Sequence, residues 1–174
     1  MLAQITKGSS LEVFILRPCI VAGPKAPALA DAMPWRHLPG LVQSTTHAVP
    51  LLKMPVPDPG FPLQLVHHDD VAVAIALAAT TDAPLGAYNI AGDGEVSLSQ
   101  VITALGGHPV RVPAVAAIAA SEAIAHLPFV PSPLEWLHIA RVSMVMDTSK
   151  AKTQLGWKPK YTSAETLQAL AQAV

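Results

Sequence analysis

The chain has 174 residues, which is enough for one domain or for a substantial piece of a larger one. Apolar residues make up 51% and charged residues only 13%, which excludes an intrinsically disordered chain and suggests that some apolar surface is covered by a partner. The formal net charge of −1 excludes the basic surplus with which nucleic-acid-binding proteins neutralise phosphates.

Cysteine content and hydrophobic run length bear on the cellular setting. The one cysteine, Cys19, excludes an internal disulfide framework and a multi-cysteine zinc site, which favours a reducing environment. The longest apolar stretch, residues 114–130, contains three polar residues and a proline, whereas a membrane span needs roughly 20 nearly uninterrupted apolar residues. We therefore expect a cytoplasmic protein that does not cross a membrane.

Strand and helix patterns alternate along most of the chain, which indicates an α/β architecture. Prolines crowd residues 24–62, so this stretch is not mostly regular structure and is typical of a loop that covers a site. The predicted strands are residues 12–16, 63–67, 87–91, 110–112 and an extended 144–146. The first predicted helices are residues 71–81, capped by Asp69 or Asp70, residues 99–105, with a Ser97/Gln100 capping box, and residues 114–126. Three more helices follow: one opened by Ser132, Pro133 and Glu135, a short one capped by Asp147, and one opened by Thr162 and Glu165. The helix over 71–81 is apolar on almost all sides and is expected to be heavily covered.

The sequence lacks two devices common in nucleotide-dependent α/β enzymes. It contains neither a Gly-x-Gly-x-x-Gly nor a Gly-x-x-Gly-x-x-Gly loop, which would hold a dinucleotide phosphate at a helix start, nor a Walker loop. Tyrosine occurs only at positions 88 and 161, and neither is followed four residues later by lysine. A Tyr-x-x-x-Lys acid/base pair is therefore absent from this sequence.

Two other groups of residues invite a chemical interpretation. His67, His68, Asp69 and Asp70 are consecutive, but neighbours on a strand point to opposite faces, so we expect one histidine inward, one outward and no bound metal. A metal-dependent hydrolase that uses His67 with Asp69 or Asp70 is the minor alternative. Cys19 follows a strand without a visible histidine or aspartate partner, which favours a small packed thiol over a nucleophile.

Three segments in chain order resemble motifs of the extended short-chain dehydrogenase/reductases, the NAD-dependent epimerase/dehydratase family. Residues 16–24 are similar to a family strand that ends in Arg-Pro and is followed by Gly-Pro. Residues 64–72 look like the signature phe-ile-(His/Tyr)-val-Asp-Asp-val-Ala, and residues 86–92 look like Gly-x-(Tyr/Phe)-Asn-(Ile/Val)-gly. Residues 147–151 and 155–159 resemble Asp-x-ser-Lys-Ala and Leu-Gly-Trp-x-Pro. Together these motifs cover nearly the whole chain and match only the C-terminal half of that family.

The resemblance implies the C-terminal part of a Rossmann-like NAD(P)-binding fold with a small α/β substrate-binding domain. Residues 1–23 would be the last helix tail and strand of the dinucleotide-binding domain, and residues 24–174 the substrate-binding domain, with elements that return to the main sheet. The intact enzyme, an oxidoreductase or isomerase, would transfer hydride at a carbinol carbon using NAD or NADP. No catalytic residue is expected in this chain, because the glycine-rich loop and the Tyr/Lys pair belong to the N-terminal half.

The resemblance also implies binding residues. Pro18, Cys19, Ile20 and Val21 would line the nicotinamide end of the cofactor cleft, and Gln64 and His67 would lie near a small-molecule substrate of sugar-derived type. Arg141 is a further candidate contact for an anion. Family members that act on nucleotide sugars often have an arginine just before the second signature, where this chain has Leu63-Gln64, and a neutral amide does not replace a bidentate guanidinium.

Two interpretations of the chain as a whole stay open at this point. In the first, it is the substrate-binding part of an enzyme whose N-terminal half is supplied elsewhere, and its apolar surface meets that half or a second copy. In the second, it is a standalone, non-catalytic binding or interaction module derived from the family. The apolar residues of the 71–81 helix and of the first strand favour the first, since a module would carry polar residues there.

Overall fold

The computed structural model describes residues 13–33, 55–113, 115, 116, 119 and 143–174. Most of the helix predicted over 114–126, the helix predicted to open at Ser132 and the candidate Arg141 lie outside the described residues. The described residues include eight strands and five helices with the following bounds. The strands are β1 Phe14–Pro18, β2 Ile20–Ala22, β3 Pro55–Asp58, β4 Pro62–Leu63, β5 Leu65–His67, β6 Gly86–Ile90, β7 Val96–Ser97 and β8 His108–Arg111. The helices are α1 Ala28–Asp31, α2 His68–Thr80, α3 Leu98–Ala104, α4 Ser149–Gln154 and α5 Ser163–Ala173.

The strands form four pairs, and three of them are parallel: β1 with β6, β2 with β5, and β3 with β8. The fourth pair, β4 with β7, is antiparallel. Parallel pairs joined through helices are the signature of α/β proteins, so the predicted α/β fold class is confirmed. The strand predicted over 63–67 is divided at Gln64 into β4 and β5, and the expected extension near Met144 is an isolated bridge to Leu63.

Strand β5 separates two hydrophobic clusters. Leu65 belongs to the first cluster and its neighbour Val66 to the second, and both are fully buried. This is the alternation of a strand with period two, here with protein on both faces. The first cluster also contains residues of α3 and α5, among them Val101, Ile102, Leu167 and Leu170. The second contains Ala74 of α2 and the fully buried Tyr88 and Trp157.

Of four predicted helix N-termini among the described residues, two are confirmed and two are wrong. Capping boxes open α3 at Ser97/Gln100 and α5 at Thr162/Glu165, as predicted. The predicted cap of α2 at Asp69 or Asp70 is wrong, because His67 is the N-cap and its ring accepts the Asp69 N–H. The cap predicted at Asp147 is wrong by one residue, since Thr148 is the N-cap of α4 while Asp147 Oδ1 accepts the Ser149 N–H at 2.8 Å.

Helix α2 is less covered than its sequence predicts. Val71, Leu77 and Ala78 pack with Ala74 on the second cluster. On the other sides Val73 is 48% exposed and Ile75 57% exposed. Within the described residues the expectation of a heavily covered helix is therefore wrong, and an apolar helix face meets solvent.

Candidate functional site

The candidate site lies at the carboxyl ends of β2 and β5. These strands are parallel and in register, so Ala22 pairs with His67 and the chain continues from them into Gly23 and His68. In open α/β sheets, ligands bind in the crevice outside the carboxyl ends of the strands. This edge therefore carries the residues on which a ligand would be expected.

Three potential metal or proton ligands converge at this edge. His67, His68 and Asp69 each offer a donor atom within 4.8 Å of the others. The Asp69 carboxylate lies 3.6 Å from His67 Nδ1 and 3.4 Å from His68 Nε2, and the two imidazole centroids are 4.3 Å apart. The expectation that the two histidines point to opposite faces is wrong, because β5 ends at His67 and α2 begins at His68. The alternation of a strand does not continue across that junction.

His67 is firmly positioned. Its side chain is almost completely buried, its ring stacks on the Tyr161 ring at a centroid distance of 4.0 Å, and Nδ1 accepts the Asp69 N–H at 3.3 Å. Burial lowers the pKa of His67 below its ordinary value; repulsion from His68 adds to this, while Asp69 and Asp70 oppose it. The imidazole is therefore predominantly neutral at pH 7, and the electron pair of its Nδ1 is engaged by the Asp69 N–H.

Gly23 makes room for both histidines. Its φ of +129° lies in a region that residues with side chains rarely adopt, and a Cβ there would stand 2.5 Å from His68 Nδ1 and 3.0 Å from His67 Nε2. Among the described residues, no hydrogen-bond partner reaches the buried His68 Nδ1. The His68 ring is thus pressed against the backbone on one side and faces Asp69 with Nε2.

Residues 18–21 connect this edge with the neighbouring strand pair. Pro18 ends β1 and is exposed, and the Cys19 N–H donates to the Ile90 carbonyl at 3.0 Å, so the pairing of β1 with β6 extends past the last strand residue. The Cys19 side chain packs against the second cluster together with Val21. Burial raises the pKa of Cys19 to about 11, which agrees with the predicted packed thiol.

Gln64 is buried between the two parts of the divided strand. Its Nε2 donates to the Gly92 carbonyl at 3.4 Å, and its Oε1 accepts the Met146 N–H at 2.7 Å. Both ends of the amide therefore hold backbone segments in place in this structure. Leu63, just before it, is buried in the first cluster. Neither residue presents a charge toward the site.

Asp70 positions Tyr161 over His67, a role that the sequence alone does not indicate. Asp70 is buried, and its carboxylate accepts the backbone N–H groups of Lys160 at 2.9 Å and of Tyr161 at 3.1 Å. The Asp70 carbonyl accepts the Trp157 Nε1–H at 2.9 Å. Asp70 and Trp157 each belong to a motif quoted above, but nothing in their spacing indicates that the two motifs touch.

A second concave feature lies between α3 and α5. It is a groove of about 510 Å³ with mainly apolar walls, lined by Val96, Ser99, Gln100, Thr103, Leu167 and Gln168 among others. None of the residues predicted to bind cofactor or substrate lines it. Among the described residues, no helix is long and apolar enough to pass through a lipid bilayer.

Known proteins are similar to this chain in fold, but the chain matches only part of their length. No family model matches the chain. Uncharacterized proteins of Mycobacterium bovis and Mycobacterium tuberculosis are each 33% identical over 103 residues, which is 59% of this chain. The match spans about a quarter (27%) of the length of these curated relatives.

Solved structures match over almost the entire chain. UDP-glucose 4-epimerase from Thermotoga maritima, with UDP-glucose, is 21% identical with a TM-score of 0.58, covering 99% of this chain and 48% of that one. UDP-glucuronic acid 4-epimerase from Bacillus cereus, with NAD, is 17% identical with a TM-score of 0.60, covering 99% and 47%. RMD from Pseudomonas aeruginosa, with NADPH, is 15% identical with a TM-score of 0.61, covering 98% and 50%. The chain thus has the fold of about half of a Rossmann-type epimerase, which confirms a partial Rossmann-like α/β fold.

Proposed function

We propose that this chain is the substrate-binding part of an NAD(P)-dependent epimerase, dehydratase or reductase of the extended short-chain dehydrogenase/reductase family. The observation that carries the proposal is the match of nearly all of the chain to about half of each of several epimerases. The resemblance of the ordered motifs supports the same family and the C-terminal half of it. Residues 1–23 would then complete the dinucleotide-binding domain, and residues 24–174 would form the substrate domain.

The chemistry of the complete enzyme would be divided between two parts. The nicotinamide of NAD or NADP would accept hydride from a carbinol carbon, while a tyrosine outside this sequence would take the hydroxyl proton. Pro18, Cys19, Ile20 and Val21 would form the apolar wall beside the nicotinamide ring. The exposed Pro18 at the carboxyl end of β1 suits that role, and the backbone of Cys19 is anchored to Ile90.

The substrate would lie over the carboxyl end of β5. His67 is the side chain best placed to orient a hydroxyl group there, because Tyr161 and Asp69 fix its ring and burial keeps it neutral. Gln64 would act mainly by holding β5 in register, since both ends of its amide are engaged. The neutral pair Leu63-Gln64 disfavours pyrophosphate recognition at that position, so we expect a small polyhydroxylated or otherwise sugar-derived substrate.

The exposed apolar side of α2 supports a covering partner. Val73 and Ile75 face solvent on a helix whose other side is packed, and parallel strand pairs normally belong to larger, doubly covered sheets. The partner we propose is the N-terminal half with its glycine-rich loop and Tyr/Lys pair. A standalone module would leave this face bare in solution; a chain that stays monomeric across a concentration series in light scattering would favour that alternative.

Dinucleotide binding tests the proposal. NADH fluorescence should be titrated with the 174-residue chain and, separately, with the polypeptide encoded when the reading frame is followed upstream of Met1. We expect no saturable binding by the 174-residue chain and micromolar binding by a longer polypeptide that contains a glycine-rich loop. Micromolar binding by the shorter chain would contradict the division of labour. A longer polypeptide that contains the loop and the Tyr/Lys pair but binds no dinucleotide would contradict the assigned function.

A further inference from the structure

The cluster of His67, His68 and Asp69 has a feature that the resemblance does not account for. The signature that residues 64–72 resemble has valine after its histidine or tyrosine, and here that position is His68. The substitution places a second imidazole 4.3 Å from the first, between centroids, in contact with the same carboxylate. The hydride-transfer chemistry proposed above needs no such group.

The spacing of the three side chains suits a small divalent ion. Zinc binds histidine nitrogen and carboxylate oxygen at roughly 2.0–2.2 Å, so neighbouring donors of a tetrahedral site lie about 3.3–3.5 Å apart. The Asp69 carboxylate is 3.4 Å from His68 Nε2 and 3.6 Å from His67 Nδ1. The Asp69 side chain is 61% exposed, so its carboxylate can turn toward an ion. An ion bound to His67 Nδ1 would take the place of the Asp69 N–H, which donates to that nitrogen at 3.3 Å.

The rigidity of the two histidines adds to the fit. Tyr161 stacks on His67, and Gly23 lies against both rings where a Cβ would collide with His68 Nδ1. His68 therefore turns Nε2 toward the carboxylate, and the one adjustable ligand, Asp69, lies on the solvent side. Three protein ligands with an open side leave room for a water molecule or a substrate oxygen, as in zinc sites that bind small molecules.

We propose that His67, His68 and Asp69 form a three-ligand site for a divalent transition-metal ion of the zinc type, at the carboxyl ends of β2 and β5. Two imidazoles and one carboxylate select Zn²⁺, Co²⁺ or Ni²⁺ over Mg²⁺, which prefers oxygen ligands alone. The site shares His67 with the proposed substrate pocket, but metal binding in the absence of cofactor and substrate decides whether it exists.

The test is metal binding by the tag-free 174-residue chain. Equilibrium dialysis with Zn²⁺, followed by elemental analysis, measures stoichiometry and affinity, and the visible absorption of bound Co²⁺ reports its coordination geometry. The informative variants are His68→Val, which restores the residue type of the signature, and Asp69→Asn, which removes the carboxylate charge from an exposed side chain. His108→Ala is the matched control, because His108 is an exposed histidine in β8.

We expect the unaltered chain and His108→Ala to bind one Zn²⁺ with equal affinity and to give the strong visible absorption of four-coordinate Co²⁺. His68→Val and Asp69→Asn should each weaken binding at least about tenfold and lose that absorption, with unchanged circular dichroism. Equal affinity in the unaltered chain and both site variants would overturn the proposal, as would the absence of saturable Zn²⁺ binding by the unaltered chain. Since Asp69 is exposed, the second variant keeps the test valid if His68→Val changes the fold.

Discussion

Helices α5 and α2 are both rich in alanine and leucine-type residues, but they are covered to different extents. In α5, the buried residues Ser163, Thr166, Leu167 and Leu170 share one side, and polar or small residues occupy the other. Ser163 also fastens the helix start, because its hydroxyl donates to the Gly94 carbonyl at 2.9 Å and accepts the Leu65 N–H at 3.1 Å. Helix α5 is thus an amphipathic surface helix with one packed side.

Helix α2 has no such polar side. Its described inner face packs on the second cluster, while its exposed positions include Ala72, Val73, Ile75 and Ala76. An amphipathic helix is stable with one face in water, whereas a helix that is apolar all round is normally buried. Among the described residues, the exposed side of α5 is polar or small and that of α2 is apolar, which is the difference expected if the proposed partner covers α2.

The largest effect on stability is expected in the first cluster. Leu170→Ala removes a fully buried side chain of α5 and should lower the free energy of unfolding by about 2–5 kcal/mol. Ile75→Ala on the exposed side of α2 should change it by less than about 0.5 kcal/mol. Urea denaturation of the two variants measures both. Similar losses would show that α2 is already covered in the isolated chain.

Cys19 reports on the packing of the second cluster, to which the inner side of α2 also belongs. With a pKa of about 11 in place of 9.0, Cys19 holds roughly 100-fold less thiolate at pH 8. We expect its reaction with a chromogenic disulfide at pH 8 to be slower by about that factor in the folded chain than in denaturant. Because the folded chain holds the thiol proton more tightly than the unfolded chain, the contribution of Cys19 to the free energy of unfolding is fully present below pH 9.0. This contribution is lost as the pH rises toward 11. Equal rates in the two states would mean that the second cluster does not shield the thiol.

The junction between α2 and the C-terminal segment depends on Asp70. Asp70→Asn replaces a carboxylate oxygen that accepts a backbone N–H by an amide that donates, which should cost about 1–3 kcal/mol. The matched change Asp69→Asn affects an exposed side chain and should cost less than about 0.5 kcal/mol without metal. Thermal unfolding in a chelator compares them; a smaller loss for Asp70→Asn than for Asp69→Asn would contradict this role.

The smallest effect on stability, and a clear effect on association, is expected at the exposed side of α2. Ile75→Lys places a charge on the apolar face and should leave the free energy of unfolding within about 0.5 kcal/mol. It should at the same time reduce concentration-dependent self-association of the chain, which light scattering follows. Gln168→Lys in α5 is the control, and an equal reduction by both variants would show that net charge rather than this face governs association.

The sequence predicts the fold class and the starts of α3 and α5 because these depend on local patterns. Capping boxes at Ser97 and Thr162 are read from residues three positions apart, and the α/β alternation follows from hydrophobic periodicity. The site could be predicted only in part. The sequence indicates His67, but the relation of His67 to His68 depends on the exact residue at which a strand gives way to a helix, and local patterns fix such boundaries only to within a few residues. Tyr161 and the buried Asp70 lie about ninety residues apart, so their contact has no local signal.

Strand β5 shows how tightly these features are tied together. Its three consecutive residues, Leu65, Val66 and His67, enter the first cluster, the second cluster and the candidate site in turn. A displacement of the strand by a single position would send an imidazole into hydrocarbon and a valine to the ligand edge. The register that packs β5 correctly during folding is therefore also the register that places His67 at the candidate site. A substitution in this short segment has to preserve both.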